Sequence, residues 1–196
     1  MKGAKLWFAA ALGLVLTAQP VLAGWKLLSA NIATNASGIT VTPTSDWNLA
    51  SGKLGKQTTA WTQDGFDLNS LEVYAGIPVG QPLYKERDKK RNPLPKFDST
   101  ALLPDLVDLF ERSFRTRNGV SDFSIIEVKP ADFGGKKGIR ARFRYSLPDD
   151  ELERLGEVRL VSANSKLYGI SFTAPALHYF NAGLPGATAI MDSAKF

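Results

Sequence analysis

Between Ile139 and Tyr145 the chain alternates without a break: Ile139, Ala141, Phe143 and Tyr145 are apolar, and Arg140, Arg142 and Arg144 stand between them. Successive side chains of a strand point to opposite faces, so this run predicts a strand with one face in a core and three guanidiniums together on the other. Like charges so placed repel unless something answers them. Glu157 and the acidic cluster of Asp149, Asp150, Glu151 and Glu153 are the obvious supply if the adjoining strands pair, which makes the ladder internally paired or solvated. The competing reading takes Arg140, Arg142 and Arg144 as binding residues for an anionic partner, such as a phospholipid headgroup, a polysaccharide or an acidic protein surface.

Cysteine is absent, which excludes disulfides, thiolate nucleophiles, sulfur-bound zinc and a lipidated cysteine. The single histidine, His178, excludes His-rich metal sites and HExxH. Only an oxygen-ligand site for calcium or magnesium remains open, and no Asp-rich loop has EF-hand spacing. Neither a metal nor a cofactor is expected.

The first residues read as an export signal. Lys2 and Lys5 precede the apolar run Leu6 to Leu16, Pro20 breaks it, and Val21-Leu22-Ala23 offers small residues for cleavage. The run is shorter than the roughly 20 residues a bilayer span needs, so residues 1–23 are expected to be a cleaved signal peptide that leaves no transmembrane span. The mature chain then starts at Gly24 and works in the periplasm or outside the cell. Cleavage removes two of the 24 basic residues, leaving 22 against 19 acidic, a surplus of three. A surplus that small, in an exported chain, argues against a nucleic-acid partner.

Residues 24–37 mix Ser, Asn, Ala and Thr with short apolar pairs and read as a loosely ordered lead-in to a single domain over 38–196. Strands are expected at Ile39–Val41, 57–62 and 68–77, the last two joined across the Asp64-Gly65 turn. Residues 80–97 carry a charge run from Lys85 to Arg91 and read as an exposed loop. Leu103, Leu106, Leu109, Phe110 and Phe114 recur at helical spacing, which predicts a helix over 104–115 with Pro104 in its first turn and Asn118-Gly119 as its stop. Phe123, Ile125 and, past a one-residue irregularity, Val128 mark a strand before the arginine ladder. Residues 157–163 and 166–173 form a hairpin, and Pro175 opens a final helix broken at Gly183-Leu184-Pro185-Gly186. This order predicts an α+β domain, a mostly antiparallel sheet covered by a middle helix and a C-terminal helix in an α/β/α sandwich.

Catalytic signatures are missing. No Gly-x-Ser-x-Gly elbow accompanies His178, whose apolar neighbours favour packing or capping. Gly134-Gly135-Lys136-Lys137-Gly138 lacks the first glycine and the Ser or Thr of a phosphate loop and reads as a turn between strands. The 149–153 carboxylates sit in a charged loop with nothing to separate their pKa values.

The order of elements resembles the PsbP-like α/β/α domain of photosystem II extrinsic subunits and several exported bacterial proteins. Early strands with Trp47 and Asp64-Gly65, the helix of Leu103 to Phe110, long strands around Phe143, Leu160 and Ile170, and a closing helix with Asp192-Ser193 before Phe196 carry it. The resemblance implies a non-enzymatic accessory module and transfers no site residue. The expected function is thus an exported accessory or binding domain of the bacterial cell envelope, partnered by an anionic envelope component or another envelope protein. The alternative is a hydrolase using carboxylates or His178.

Overall fold

A computed structural model of the chain describes residues 25–36, 38–148 and 150–196. The expected signal peptide, residues 1–23, lies outside them. The elements run β1 (Trp25–Leu28), β2 (Thr34–Ala36), β3 (Ile39–Val41), β4 (Trp47–Ala50), β5 (Thr58–Thr62), β6 (Ser70–Pro78), α1 (Leu103–Asn118), β7 (Phe123–Phe133), β8 (Lys136–Tyr145), β9 (Arg154–Ala163), β10 (Lys166–Pro175) and α2 (Tyr179–Asp192). Eight strands form one sheet in the order β1-β4-β5-β6-β10-β9-β8-β7, every neighbouring pair antiparallel. Helix α1 packs on one face and α2 on the other, each over its own core. The expected α+β architecture is present, with the order of elements on which the PsbP-like resemblance rests.

Periodicity explains both faces. Leu106, Leu109, Phe110 and Phe114 are buried, as the helical spacing requires, against Ile139, Ala141, Phe143 and Tyr145 of β8 and Val158 and Leu160 of β9. Asp105 accepts a hydrogen bond from the Leu102 amide at 2.7 Å, which satisfies one orphan donor at the start of α1, and Gly119 ends it in the left-handed region. The irregularity before Val128 is a register shift between Ile125 and Glu127. Asn164 and Ser165, both at positive φ, turn β9 into β10.

Three expectations need correcting. The lead-in over 24–37 holds β1, paired with β4, and β2, paired with β3; Trp25, Lys26 and Leu27 are exposed, so β1 lacks the buried alternation by which a strand is read. Helix α2 is not broken at Gly183 to Gly186 but runs through Pro185. Gly183 lets it press on the sheet, since a Cβ there would lie 2.6 Å from the Phe172 ring, and the packing of Phe180, Ala187, Ile190 and Met191 offsets the hydrogen bond that proline removes. Finally, residues 80–97 are only partly an exposed loop. Leu83, Tyr84, Leu94 and Phe97 are buried in the α1-side core.

Candidate functional site

The ladder lies on the α2 face of β8, toward the sheet edge formed by β7. Register sets Arg142 between Glu127 of β7 and Glu157 of β9, and Arg140 between Lys129 and Arg159. Arg142 Nε donates to Glu157 Oε2 at 2.8 Å, and Arg140 Nη2 donates to Glu127 Oε2 at 2.6 Å with its Nη1 3.9 Å from Glu157. Arg144 is the loosest, 3.8 Å from Glu153, with both side chains 55% exposed. Glu157 is the hub: its side chain is 2% exposed, and Arg159, itself bound to Asp192 of α2, stands 3.8 Å away. Beside Lys129 and Arg140, the Glu127 carboxyl is held below its ordinary range, the Lys129 hydrogen bond being the chief cause. Glu127 could not be placed from the sequence because the β7 irregularity hides its register.

On the opposite face, α1 leaves part of the sheet uncovered. A cleft of about 330 Å³ opens there, floored by Ala60, Glu72, Thr173, Arg154 and Tyr145 from five strands and walled by Phe114 and Arg117 of α1. Its volume falls within the usual range for small-molecule sites. Ala60 and Ser171, small residues, flank Glu72 in register and leave room for the carboxylate. Arg117, in the last turn of α1, donates to Glu72 Oε1 at 2.9 Å, and its guanidinium lies 4.7 Å from the centre of the Tyr84 ring.

Glu72 Oε2 meets the hydroxyls of Tyr74 and Tyr84 at 2.7 Å each, and the two hydroxyls are 2.7 Å apart. Two phenolic protons thus serve three short contacts, with Ser171 3.1 Å from Tyr74 as a further partner. Burial first, then the Glu72 charge, push both phenols well above their ordinary value, so they stay protonated and donate. Burial is the largest single influence on Arg117 and opposes its charge, but Glu72, by charge and hydrogen bond, and the neighbouring tyrosines together outweigh it, and the guanidinium is held above its usual range. Both oxygens of Glu72 are occupied, so service as a general base would require breaking an ion pair. Arg154 is tied to the Asp67 carbonyl and the Asp150 carboxylate, while its buried Nε has no partner among the described residues.

The other candidate chemistry is dispersed. His178 is exposed at the start of α2, with its ring edge-on to Tyr179. Of the acidic cluster, Asp150 pairs with Arg154, Glu151 and Glu153 are exposed, and Asp149 lies outside the described residues. Gly134 and Gly135 form the β7–β8 turn, as expected. The Glu72 cluster escaped sequence reasoning, because Arg117 lies 45 residues from Glu72 and Ser171 lies 97 from Tyr74. The available signal was a lone carboxylate inside the apolar run of β6.

No protein-family profile matches the chain, and no curated protein does. Among solved structures, the Ran-binding protein Mog1p of Saccharomyces cerevisiae matches with a TM-score of 0.50 and 10% identity over 87% of this chain and 94% of that one. Cyanobacterial PsbP (CyanoP) from Synechocystis sp. PCC 6803 matches with a TM-score of 0.49 and 14% identity over 94% and 96%. LpqN, involved in cell envelope biogenesis of Mycobacterium tuberculosis, gives a TM-score of 0.33 and 10% identity over 90% and 80%. At such identity a likeness speaks for the fold alone. No helix among the described residues is long and apolar enough to cross a membrane.

Proposed function

We propose that this chain is an exported domain of the bacterial cell envelope, periplasmic or secreted after loss of residues 1–23, and that it acts by binding rather than by catalysis. One observation carries the choice between those two. The carboxylate at the floor of the cleft, Glu72, is saturated by Arg117, Tyr74 and Tyr84, which suits a rigid wall against which a ligand packs better than a proton carrier. The partner is an anionic envelope component or another envelope protein. Arg140 and Arg142 serve as framework in this reading, and Arg144 is the ladder residue open enough for contact.

Two measurements test the proposal. Expression of the full chain in a bacterial host should yield a periplasmic or secreted species whose intact mass begins at Gly24; a cytoplasmic species retaining residues 1–23 would refute export. A reproducible hydrolytic turnover abolished by Glu72→Gln or His178→Ala would establish the hydrolase instead.

A further inference from the structure

Residues 51–57, leading into β5, and residues 81–89, after β6, run side by side and enclose a groove of about 620 Å³. Lys53, Lys56, Lys85, Arg87 and Lys89 surround it, with Glu86 as the one carboxylate among the lining residues; all five cations are exposed. Glu86 is turned inward, its side chain 10% exposed, accepting from the Leu94 amide at 3.3 Å and lying 3.5 Å from Lys89. The other four cations form no ion pair among the described residues. Five cations against one carboxylate give the groove a surplus of four, more than the surplus of three that the whole chain keeps after residue 23.

The fold holds these like charges together. Lys85 N donates to the Leu54 carbonyl at 2.7 Å, and Thr58 Oγ1 donates to the Leu83 carbonyl at 2.5 Å. Gly55 permits the approach, because a Cβ there would sit 2.6 Å from that same carbonyl. Tyr84, the residue between Leu83 and Lys85, is 1% exposed and locked into the Glu72 cluster. Two cationic segments are therefore pinned together on a buried anchor. Mutual repulsion at such a site makes it a standing attractor for an anion.

We infer that this groove is a binding site for a phosphate-bearing ligand. Lysines act on phosphate as point charges and Arg87 can engage two of its oxygens, while the volume takes a glycerol- or sugar-sized body beyond the phosphate. The inference deepens the binding role proposed above, and it rests on that reading for the envelope setting alone. The same chemistry is offered by an anionic phospholipid headgroup and by a soluble phosphate ester.

The chain from Gly24 onward, which contains every described element, is titrated with mixed phosphatidylcholine and phosphatidylglycerol vesicles, with phosphatidylcholine vesicles, and with glycerol 3-phosphate in solution. Binding to at least one phosphate probe, weakening as salt rises, is expected. Removing three charges in Lys53→Gln/Lys85→Gln/Arg87→Gln should weaken it about a hundredfold, given the contribution of each basic residue near an anionic surface. Lys137→Gln, an exposed cation outside the groove, should change it little, and circular dichroism of each variant confirms the fold. Binding to mixed vesicles alone identifies a membrane headgroup; binding to glycerol 3-phosphate alone identifies a soluble ester. No binding to either, equal binding by the groove variant, or loss on Lys137→Gln instead would overturn the inference. Failure here leaves export and the intact-mass test untouched, and failure of export leaves this binding measurable.

Discussion

On the outer strands β7, β8 and β9, arginines stand among carboxylates; at the groove between residues 51–57 and 81–89, cations stand largely among themselves. Both regions are basic in sequence, and both are held by regular structure beneath them. The difference is where the neighbours come from. Period-two geometry gives each ladder arginine two cross-strand positions, and Glu127, Glu157 and Glu153 fill or border them. The groove cations are carried by irregular segments with no such cross-strand partners. The ladder is consequently neutralised within the fold, whereas the groove leaves its charge facing solvent.

The largest effect that would break this contrast lies at the ladder. Changing Arg140, Arg142 and Arg144 to Gln strands Glu157, 1% exposed, with Arg159 at 3.8 Å as its remaining cation. A buried charge stripped of its partners typically costs 3–5 kcal/mol, and solvent access to the arginine ends lowers the expectation to about 2–4 kcal/mol. A melting temperature equal to the parent's would show the ladder to be solvated and dispensable. Glu157→Gln should cost less, about 1–2 kcal/mol, because the amide still accepts a hydrogen bond and the arginines can turn to water or to Glu127 and Asp192. If it proved the costlier change, repulsion among the arginines would outweigh the stranding of the carboxylate.

The third test is a titration. The Glu127 carboxyl is depressed by Lys129 and Arg140, so its contribution is present above the unfolded-state value and lost as pH falls through the folded one. Its side-chain carbon resonance should titrate below the ordinary glutamate range, and Arg140→Gln should raise the midpoint. A midpoint at the ordinary value in the parent would mean that the outer strands do not hold this network in solution.

Legibility in the sequence followed the range of the interaction. Helix α1, the two-faced strand β8, the irregularity before Val128 and the turn at Asn164 are local patterns, and each could be read from its own short stretch of chain. The Glu72 cluster could not, because it depends on β6 lying beside β10 and on α1 ending over them, a consequence of strand order that no local period encodes. Residues 80–97 failed for a different reason. Their charges masked Leu83, Tyr84, Leu94 and Phe97, whose burial turns a solvated loop into one wall of a groove. Likewise β1, with three exposed residues out of four, carries no core pattern to find.

The smallest effect is the sharpest comparison. Lys53→Gln/Lys85→Gln/Arg87→Gln removes as many cations as the ladder variant, yet none of the three forms an ion pair among the described residues. No ion pair is lost and no buried charge is stranded, while repulsion across the groove is relieved and then screened over about 8 Å at physiological ionic strength. Stability should therefore change by less than about 0.5 kcal/mol, and in the stabilising direction, most clearly at low salt. The physical logic is that of sites kept for a ligand at some cost to the free fold. Thermal melts of the groove and ladder variants, run side by side at two salt concentrations, give the comparison directly. A groove variant that melted as far below the parent as the ladder variant would mean that its lysines and Arg87 are answered within the fold after all, and the two basic regions would differ in nothing but position.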